Sequence, residues 1–330
     1  MAVIVTGAAG FLGRAVLGHL NDTGIPTWAV DRRLVLGLDG PQLEGRRLDG
    51  PGLEGAELRR PDPSMVRVHT ADLLDDDPEL ARILSRADAV IHLAGAPSVR
   101  ATGPAVAAGR RRDNVEAVRR VLAAVPASVP LVVASSSSVY GGSAPGRPSA
   151  ESDPLCPRGG YAHSKAAVEA MCAERIAVGA RVTVVRPFTV AGEGQRTDMA
   201  LSRWIAATRA GRPVQVYGSL RRRRDITDVR QVAVALVALA RLGVPGPVNL
   251  GTGKSVSLGD MLGSVAAALG TEPAVQVCPA TAEEVPGTLA DTTRLRELLG
   301  WVPVTDLDAL VRRQAGAGAA AAPLPAAAPA

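Results

Sequence analysis

Apolar residues in the first half of the chain fall in short runs at 3–6, 27–30, 66–70, 89–94, 131–135 and 181–186. Each run is rich in valine, alanine, isoleucine or leucine and is closed by glycine, proline or polar residues, as buried strands are. Between them, apolar positions recur at helical spacing over 11–21, 78–85, 104–125 and 161–178. Short apolar strands alternating with helices are the pattern of a parallel sheet covered on both faces. The chain is therefore expected to be α/β, with a doubly wound parallel sheet.

Beyond Pro187 the alternation loosens into a helix near 198–210, a strand at 214–217, an arginine run at 221–224 and helices near 229–243 and 257–269. Residues 1–187 plus about 225–250 are expected to form a nucleotide domain, and 188–224 plus 251–314 a smaller mixed α/β substrate-binding domain. Residues 38–47 and 48–57 repeat each other at seven of ten positions, too few copies for a solenoid. They read as part of a surface loop, 34–64, inserted after the second strand. Residues 315–330, mostly alanine, glycine and proline, carry too little apolar bulk to pack and read as a disordered tail.

Charge changes this picture little. The 330-residue chain has a net charge of +5, and all but two of its 37 basic residues are arginine, the exceptions being Lys165 and Lys254. Arginine, alanine, glycine and proline run high together, a compositional bias that accounts for the basicity without a nucleic-acid partner. Single-strand binding would also need aromatic platforms, and only 2% of the chain is aromatic. Cys156, Cys172 and Cys278 lie far apart with neither a CxxC nor a Cys/His cluster, so no disulfide framework and no metal site is expected. Met1 leads directly into a strand and glycines, without a charged leader or a long apolar run, which points to a cytoplasmic protein with no membrane partner.

Candidate chemistry begins at the first strand. VIVTGAAGFLG places Gly7, Gly10 and Gly13 between a strand and a helix, the context that lets backbone approach a pyrophosphate and aims helix N–H groups at it. Asp31 closes the second strand at about the offset of an acid that grips ribose hydroxyls, which favours NAD over NADP in a Rossmann-like fold. Arg14, Arg32 and Arg33 pull the other way, and their ordinary reading is solvated surface. Asp72 and Leu73, just past the third strand, are placed to meet an adenine edge, with a plain turn as the competing reading for the aspartate.

The second signal is Tyr161-Ala162-His163-Ser164-Lys165. A spacing of four puts the phenol and the ammonium on one helix face. A phenol with a pKa near 10 needs a neighbouring positive charge to act as a base at neutral pH, and Lys165 supplies it. Ser135 to Ser138 end the fifth strand, where this fold places its ligands, so their hydroxyls can hold a substrate oxygen near the tyrosine. Turn bonds at a polar strand end are the alternative.

TGAAGFLG, Asp31, Asp72-Leu73, HLAG (92–95), SSSSVYG (135–141) and YAHSK together resemble the extended short-chain dehydrogenase/reductase family, in its nucleotide-sugar epimerase and dehydratase branch. The resemblance runs from Val3 to about Arg312. RPFTVAGEGQRTDMALSRW (186–204) is most similar to the UDP-glucuronate 4-epimerases, and RDITDV (224–229) continues the match. The family's catalytic Ser/Thr falls on Ser136 and its tyrosine and lysine on Tyr161 and Lys165. Its NAD ligands fall on Gly7, Gly10, Phe11, Leu12, Gly13, Asp31, Arg32, Asp72, Leu73, Leu93, Ala94, Gly95 and Asn114, with Tyr161 and Lys165 touching the cofactor as well. The sugar-nucleotide side falls on Arg100, Ser137, Ser138, Thr189, Arg196, Tyr217 and Arg224.

The resemblance implies an NAD-dependent 4-epimerase that removes a hydride from the sugar C4 and returns it to the opposite face, with UDP-glucuronate or a related nucleotide hexose as substrate. It implies no metal, and a homodimer. The 4,6-dehydratases carry an Asp-Glu pair where this chain has Ser137 and Ser138, and decarboxylating relatives carry a glutamate there. Ala191, Glu193 and Arg230-Gln231 depart from the epimerase pattern, as does Thr281-Ala282-Glu283-Glu284. Two other readings stay open: an NAD(P)H-consuming reductase of 4-keto sugars with the same trio, and a non-catalytic dinucleotide sensor.

Overall fold

The computed structural model describes residues 2–33, 65–97, 102–281 and 284–320. The insertion expected at 34–64, with its repeat, lies outside the described residues.

Strands β1 (Val3–Thr6), β2 (Thr27–Asp31), β3 (Val66–Thr70), β4 (Ala89–His92), β5 (Leu131–Ala134) and β6 (Val182–Pro187) form one parallel sheet, and a late strand, Gly246–Leu250, joins it at the β6 edge. Across the sheet the order is β3, β2, β1, β4, β5, β6 and then that late strand. The strands grow outward in opposite directions from the β1/β4 junction, which opens a crevice at their carboxyl ends. Their side chains alternate between two cores. Val3 and Val5 of β1 point to the core built with Val16, Leu17 and Leu20, while Ile4 points to the one built with Ile83, Leu84 and Val168. Both faces of the inner strands are covered, which is why these read as apolar runs, whereas the edge strand β3, VRVHT, is largely exposed.

Helices α1 (Phe11–Asp22), α2 (Pro78–Ser85), α3 (Pro104–Arg110), α4 (Ala117–Ala124) and α5 (Gly159–Ala177) follow the predicted order. The helix expected over 104–125 is not uniform: a π turn, Arg111–Glu116, separates α3 from α4. Such turns are inserted where a side chain must be re-aimed, often at functional sites.

The remaining elements build a second unit with its own core. Strand β7 (Thr189–Ala191) pairs with β10 (Ile226–Asp228), β8 (Val214–Tyr217) with β13 (Val275–Cys278), and β9 (Arg223–Arg224) with β12 (Val256–Ser257), the late sheet strand being β11. Leu201, Trp204 and Ile205 of α6 (Ala200–Arg209) pack on Val214 and Val216. Helix α7 (Val229–Leu242) returns to the main sheet beside α1, whereas Met261, Leu262 and Val265 of α8 (Leu258–Leu269) stay in the second core. Helix α9 (Thr293–Leu299) buries Leu295 against the first.

The tail corrects the sequence expectation. Helix α10 runs Leu307–Ala320, past the point where disorder was expected to begin, and Ala315 is buried in the second core with its carbonyl accepting from Arg209 Nη2. Alanine is small enough to dock flat on a packed surface and loses no side-chain entropy in a helix. Residues 321–330 lie outside the described residues. Among the described residues, no helix is long and apolar enough to cross a membrane.

Candidate active site

The turn between β1 and α1 holds the first half of the site. Gly7 has φ +74°, and a Cβ there would lie 2.4 Å from the Ala94 nitrogen. A Cβ on Gly13 would lie 2.2 Å from the Gly7 oxygen. Both positions are closed to any side chain, so the β1 turn, the Leu93-Ala94-Gly95 loop and α1 can press together. Helix α1 starts at Phe11 with no side chain capping its first amides, which leaves them for an anion.

At the end of β2 the Asp31 carboxylate is fixed by the amides of Ala9 (3.0 Å) and Arg33 (2.9 Å). Arg32 beside it is half exposed but is not without partners. Its guanidinium makes two parallel bonds to Asp113, 3.0 and 2.9 Å, and lies 3.9 Å from Asp72. Asp72 in turn accepts from Arg112 at 2.7 Å and from the Leu74 amide at 3.0 Å, so it is both a turn residue and a member of this charge cluster.

The second half of the site sits where β5 meets α5. Ser136 follows β5, and its hydroxyl accepts from the Ser138 amide at 3.1 Å, capping the short turn Ser137–Tyr140. Tyr161 lies in the first turn of α5. Burial pushes its phenol up, opposed by a hydrogen bond with Ser136 and by the Arg196 guanidinium. Lys165 Nζ is 6.0 Å from the centre of the Tyr161 ring and donates to the Ala134 carbonyl at 2.7 Å. Burial pushes the ammonium down to about 8, against the pull of Cys172 and Glu169. The phenol and the ammonium are thus both destabilised in their charged forms, and an ionised pair would relieve both.

Asn114, on the π turn, accepts from the Ala96 amide (2.7 Å) and donates to Ser164 Oγ (2.9 Å), which bonds the Tyr161 carbonyl (2.7 Å). It pins the start of α5 to the loop after β4. Ser138 Oγ is buried without a hydrogen-bond partner among the described residues. His92 Nδ1 is tied to Thr6 Oγ1 at 2.7 Å, and burial drives the imidazole down to about 3, so it stays neutral.

Apart from Arg100, which lies outside the described residues, the candidate residues line a single cleft of about 1140 Å³. Gly7, Gly10, Phe11, Leu12, Gly13, Asp31, Arg32, Asp72 and Leu73 occupy its β1–β3 end, with Leu93, Ala94, Gly95 and Asn114 next to them. Ser136, Ser137, Ser138, Tyr161 and Lys165 stand beyond these, and Thr189, Arg196, Tyr217 and Arg224 come from the second unit. Three of the last group already have side-chain partners: Arg196 bonds Asp198 at 2.9 Å, Arg224 lies 3.5 Å from Glu284, and the Tyr217 hydroxyl donates to Gln215 at 3.3 Å.

Some residues that shape the site escaped sequence reasoning. Glu169, one turn past Lys165, is buried and bonded to Arg186 at 2.6 Å, while Ser135 Oγ donates to it and Arg186 also reaches the Tyr140 hydroxyl at 2.8 Å. Ser135 therefore belongs to this network. Asp225, fully buried, accepts from the Thr252, Gly253 and Ala290 amides and so fixes the strand that carries Arg224. Asp225 lay within the RDITDV motif without a role of its own, and Glu169 was signalled only by a carboxylate at an apolar position of a helix. Asp113, which holds Arg32, left no signal at all.

Two departures from the epimerase pattern, Glu193 and Arg230, are bonded to each other. Glu193 accepts from Arg230 Nη2 and from Arg313 Nε (3.1 Å), so the two departures meet in one contact. Ala191 is buried in the second core.

A glycine-walled dinucleotide crevice that shares its cleft with a tyrosine and a lysine one turn apart defines an α/β protein built for redox chemistry on a bound ligand. The comparison with known families specifies it. The chain belongs to the NAD dependent epimerase/dehydratase family, whose model matches residues 3–251. It is 30% identical over 345 residues to a probable UDP-glucuronate 4-epimerase of Rhizobium meliloti, covering 95% of each chain. It is 29% identical over 317 residues to an uncharacterized UDP-glucose epimerase of Bacillus subtilis, covering 93% of this chain and 94% of that one. The structure of MoeE5 in complex with UDP-glucuronic acid and NAD superposes with a TM-score of 0.81 at 32% identity, over 98% of this chain and 100% of that one. The expectations of a doubly wound fold, of this family and of NAD are met. The closed glycine positions at 7 and 13, the uncapped α1 and the fixed Asp31 are what a pyrophosphate and a ribose require.

Proposed function

We propose that this protein is an NAD-dependent nucleotide-sugar 4-epimerase acting on a UDP-hexuronate or a closely related UDP-hexose. The observation that carries the reading is the placement of Ser136, Tyr161 and Lys165 in the same cleft as the β1/α1 turn, with Thr189, Arg196 and Arg224 facing them from the second unit. In this reading the β1/α1 turn, Asp31, Asp72 and Lys165 hold the cofactor. When bound, NAD supplies a hydride acceptor for the sugar C4 and gives the hydride back. Tyr161 takes the proton of the 4-hydroxyl as the carbonyl forms and returns it after the sugar has turned, and Ser136 donates to the same oxygen. Lys165 favours the phenolate electrostatically.

Arg196 and the serine hydroxyls offer donors to a sugar carboxylate, which supports the hexuronate. Arg224 offers a guanidinium to a diphosphate, which would compete with Glu284 for it. The absence of acids at Ser137 and Ser138 speaks against elimination. The reading includes a cytoplasmic homodimer, to be checked by sedimentation.

The test is to mix the purified protein with UDP-, dTDP- and GDP-sugars, uronates included, without added cofactor, and to follow the products by NMR. A C4 epimer of unchanged mass is expected, with turnover lowered by about 10²- to 10⁴-fold in Tyr161→Phe. Oxidation of added NADH or NADPH by a 4-keto sugar, with no conversion in its absence, would replace the epimerase with a reductase.

A further inference from the structure

The dinucleotide crevice contains a contradiction in its sequence: Asp31 ends β2 as an acid suited to ribose hydroxyls, yet Arg32 and Arg33 follow it at once. In this fold an arginine near that acid is the ordinary ligand of a 2′-phosphate. A free guanidinium at Arg32 would therefore blur the choice between NAD and its phosphorylated form. It is not free. Both of its terminal nitrogens bond the two oxygens of Asp113 in the fork geometry that fixes an arginine most firmly.

The arrangement is built from two elements. Asp113 comes from the π turn, not from the β2 loop, and its side chain is only 17% exposed against 53% for Arg32. Arg112 bonds Asp72 and Asp113 Oδ1, each at 2.7 Å, the latter oxygen also accepting from Arg32, so Asp113 is itself held in place while it holds Arg32. Asp31, Asp72 and Asp113 all line the crevice here. A phosphate dianion entering this corner would meet the Asp31, Asp72 and Asp113 carboxylates, with the Arg33 guanidinium 3.5 Å from Asp31 and Arg112 spent on the other two, and Arg32 could turn to it only by giving up both bonds.

We propose that Asp113 is a cofactor-specificity residue: by committing the Arg32 guanidinium to a carboxylate, it makes this crevice reject a 2′-phosphorylated dinucleotide. It acts through Arg32 and touches none of the reacting atoms. The inference concerns the dinucleotide alone and stands whatever sugar the second unit binds.

The experiment equilibrates nucleotide-free protein with equal concentrations of NAD and NADP. The complex is separated on a desalting column and denatured, and the released nucleotides are quantified by chromatography. The wild type should release mainly NAD. Asp113→Asn keeps the shape of the side chain but not its charge, and should raise the NADP to NAD ratio by about tenfold, the weight of one charged hydrogen bond. Asp113→Asn with Arg32→Ala should lose that gain. A ratio unchanged in Asp113→Asn, or a gain that persists without Arg32, would overturn the proposal. A structural role alone would weaken both nucleotides equally and leave the ratio where it was, which also overturns it.

Discussion

Replacing Lys165 by methionine should stabilise the nucleotide-free protein at neutral pH while abolishing its chemistry. Lys165 is 7% exposed, and burial lowers its ammonium from 10.5 to about 8. That gap corresponds to about 3 kcal/mol at roughly 1.4 kcal/mol per tenfold. The sign follows from proton binding. The unfolded lysine keeps its proton up to about 10.5 and the folded one only to about 8, so between these values the unfolded chain holds more protons and stability rises with pH. Below pH 8 the whole cost of the buried charge is present. Methionine removes it and keeps most of the apolar stem, but it loses the charged donor's bond to the Ala134 carbonyl, worth about 1.5 kcal/mol. The net gain at pH 7 is about 1–2 kcal/mol, a rise in Tm of about 2–4 °C. Calorimetry of wild type and variant at pH 7 and at pH 10 would measure it, and the gap should close at the higher pH. A variant that melts below the wild type at pH 7, or a gap indifferent to pH, would refute the account of Lys165 as a strained charge kept for function.

Glu169→Ala should cost about 3–5 kcal/mol by leaving Arg186 buried without its carboxylate, whereas Glu169→Leu combined with Arg186→Met should be far milder, as denaturant titration would show. Gly13→Ala should release bound dinucleotide or prevent folding, because its Cβ meets the Gly7 oxygen at 2.2 Å; nucleotide content after desalting measures the first and circular dichroism the second. Turnover should fall as pH rises through about 8, where Lys165 loses its proton, and this limb should move to lower pH in Glu169→Gln because the carboxylate favours the ammonium.

The sheet was legible in the sequence because its inner strands are buried on both faces and its helices on one, so burial writes period and composition directly into the chain. The phosphate turn was legible because only glycine satisfies the approach of Ala94 to Gly7 and of Gly7 to Gly13. Tyr161 and Lys165 were legible because one helix turn separates them. The π turn was not, since its extra residue leaves the apolar pattern over 104–125 almost intact. Nor was the end of α10, where poor composition suggested disorder and a packing surface imposed a helix.

By itself, then, the sequence determined what depends on near neighbours: the strand and helix order, the glycine turn, the acid at the end of β2, and the tyrosine and lysine on one face. Tertiary structure alone decided the partnerships between residues far apart in the chain. Arg32 could stand alone or be tethered, and only the fold brings it to Asp113, 81 residues away. Glu169 could be a surface acid on a long helix, and Arg186 makes it a buried one. A charged side chain has no fixed role until its partner and its exposure to water are set, and both are properties of the packed chain.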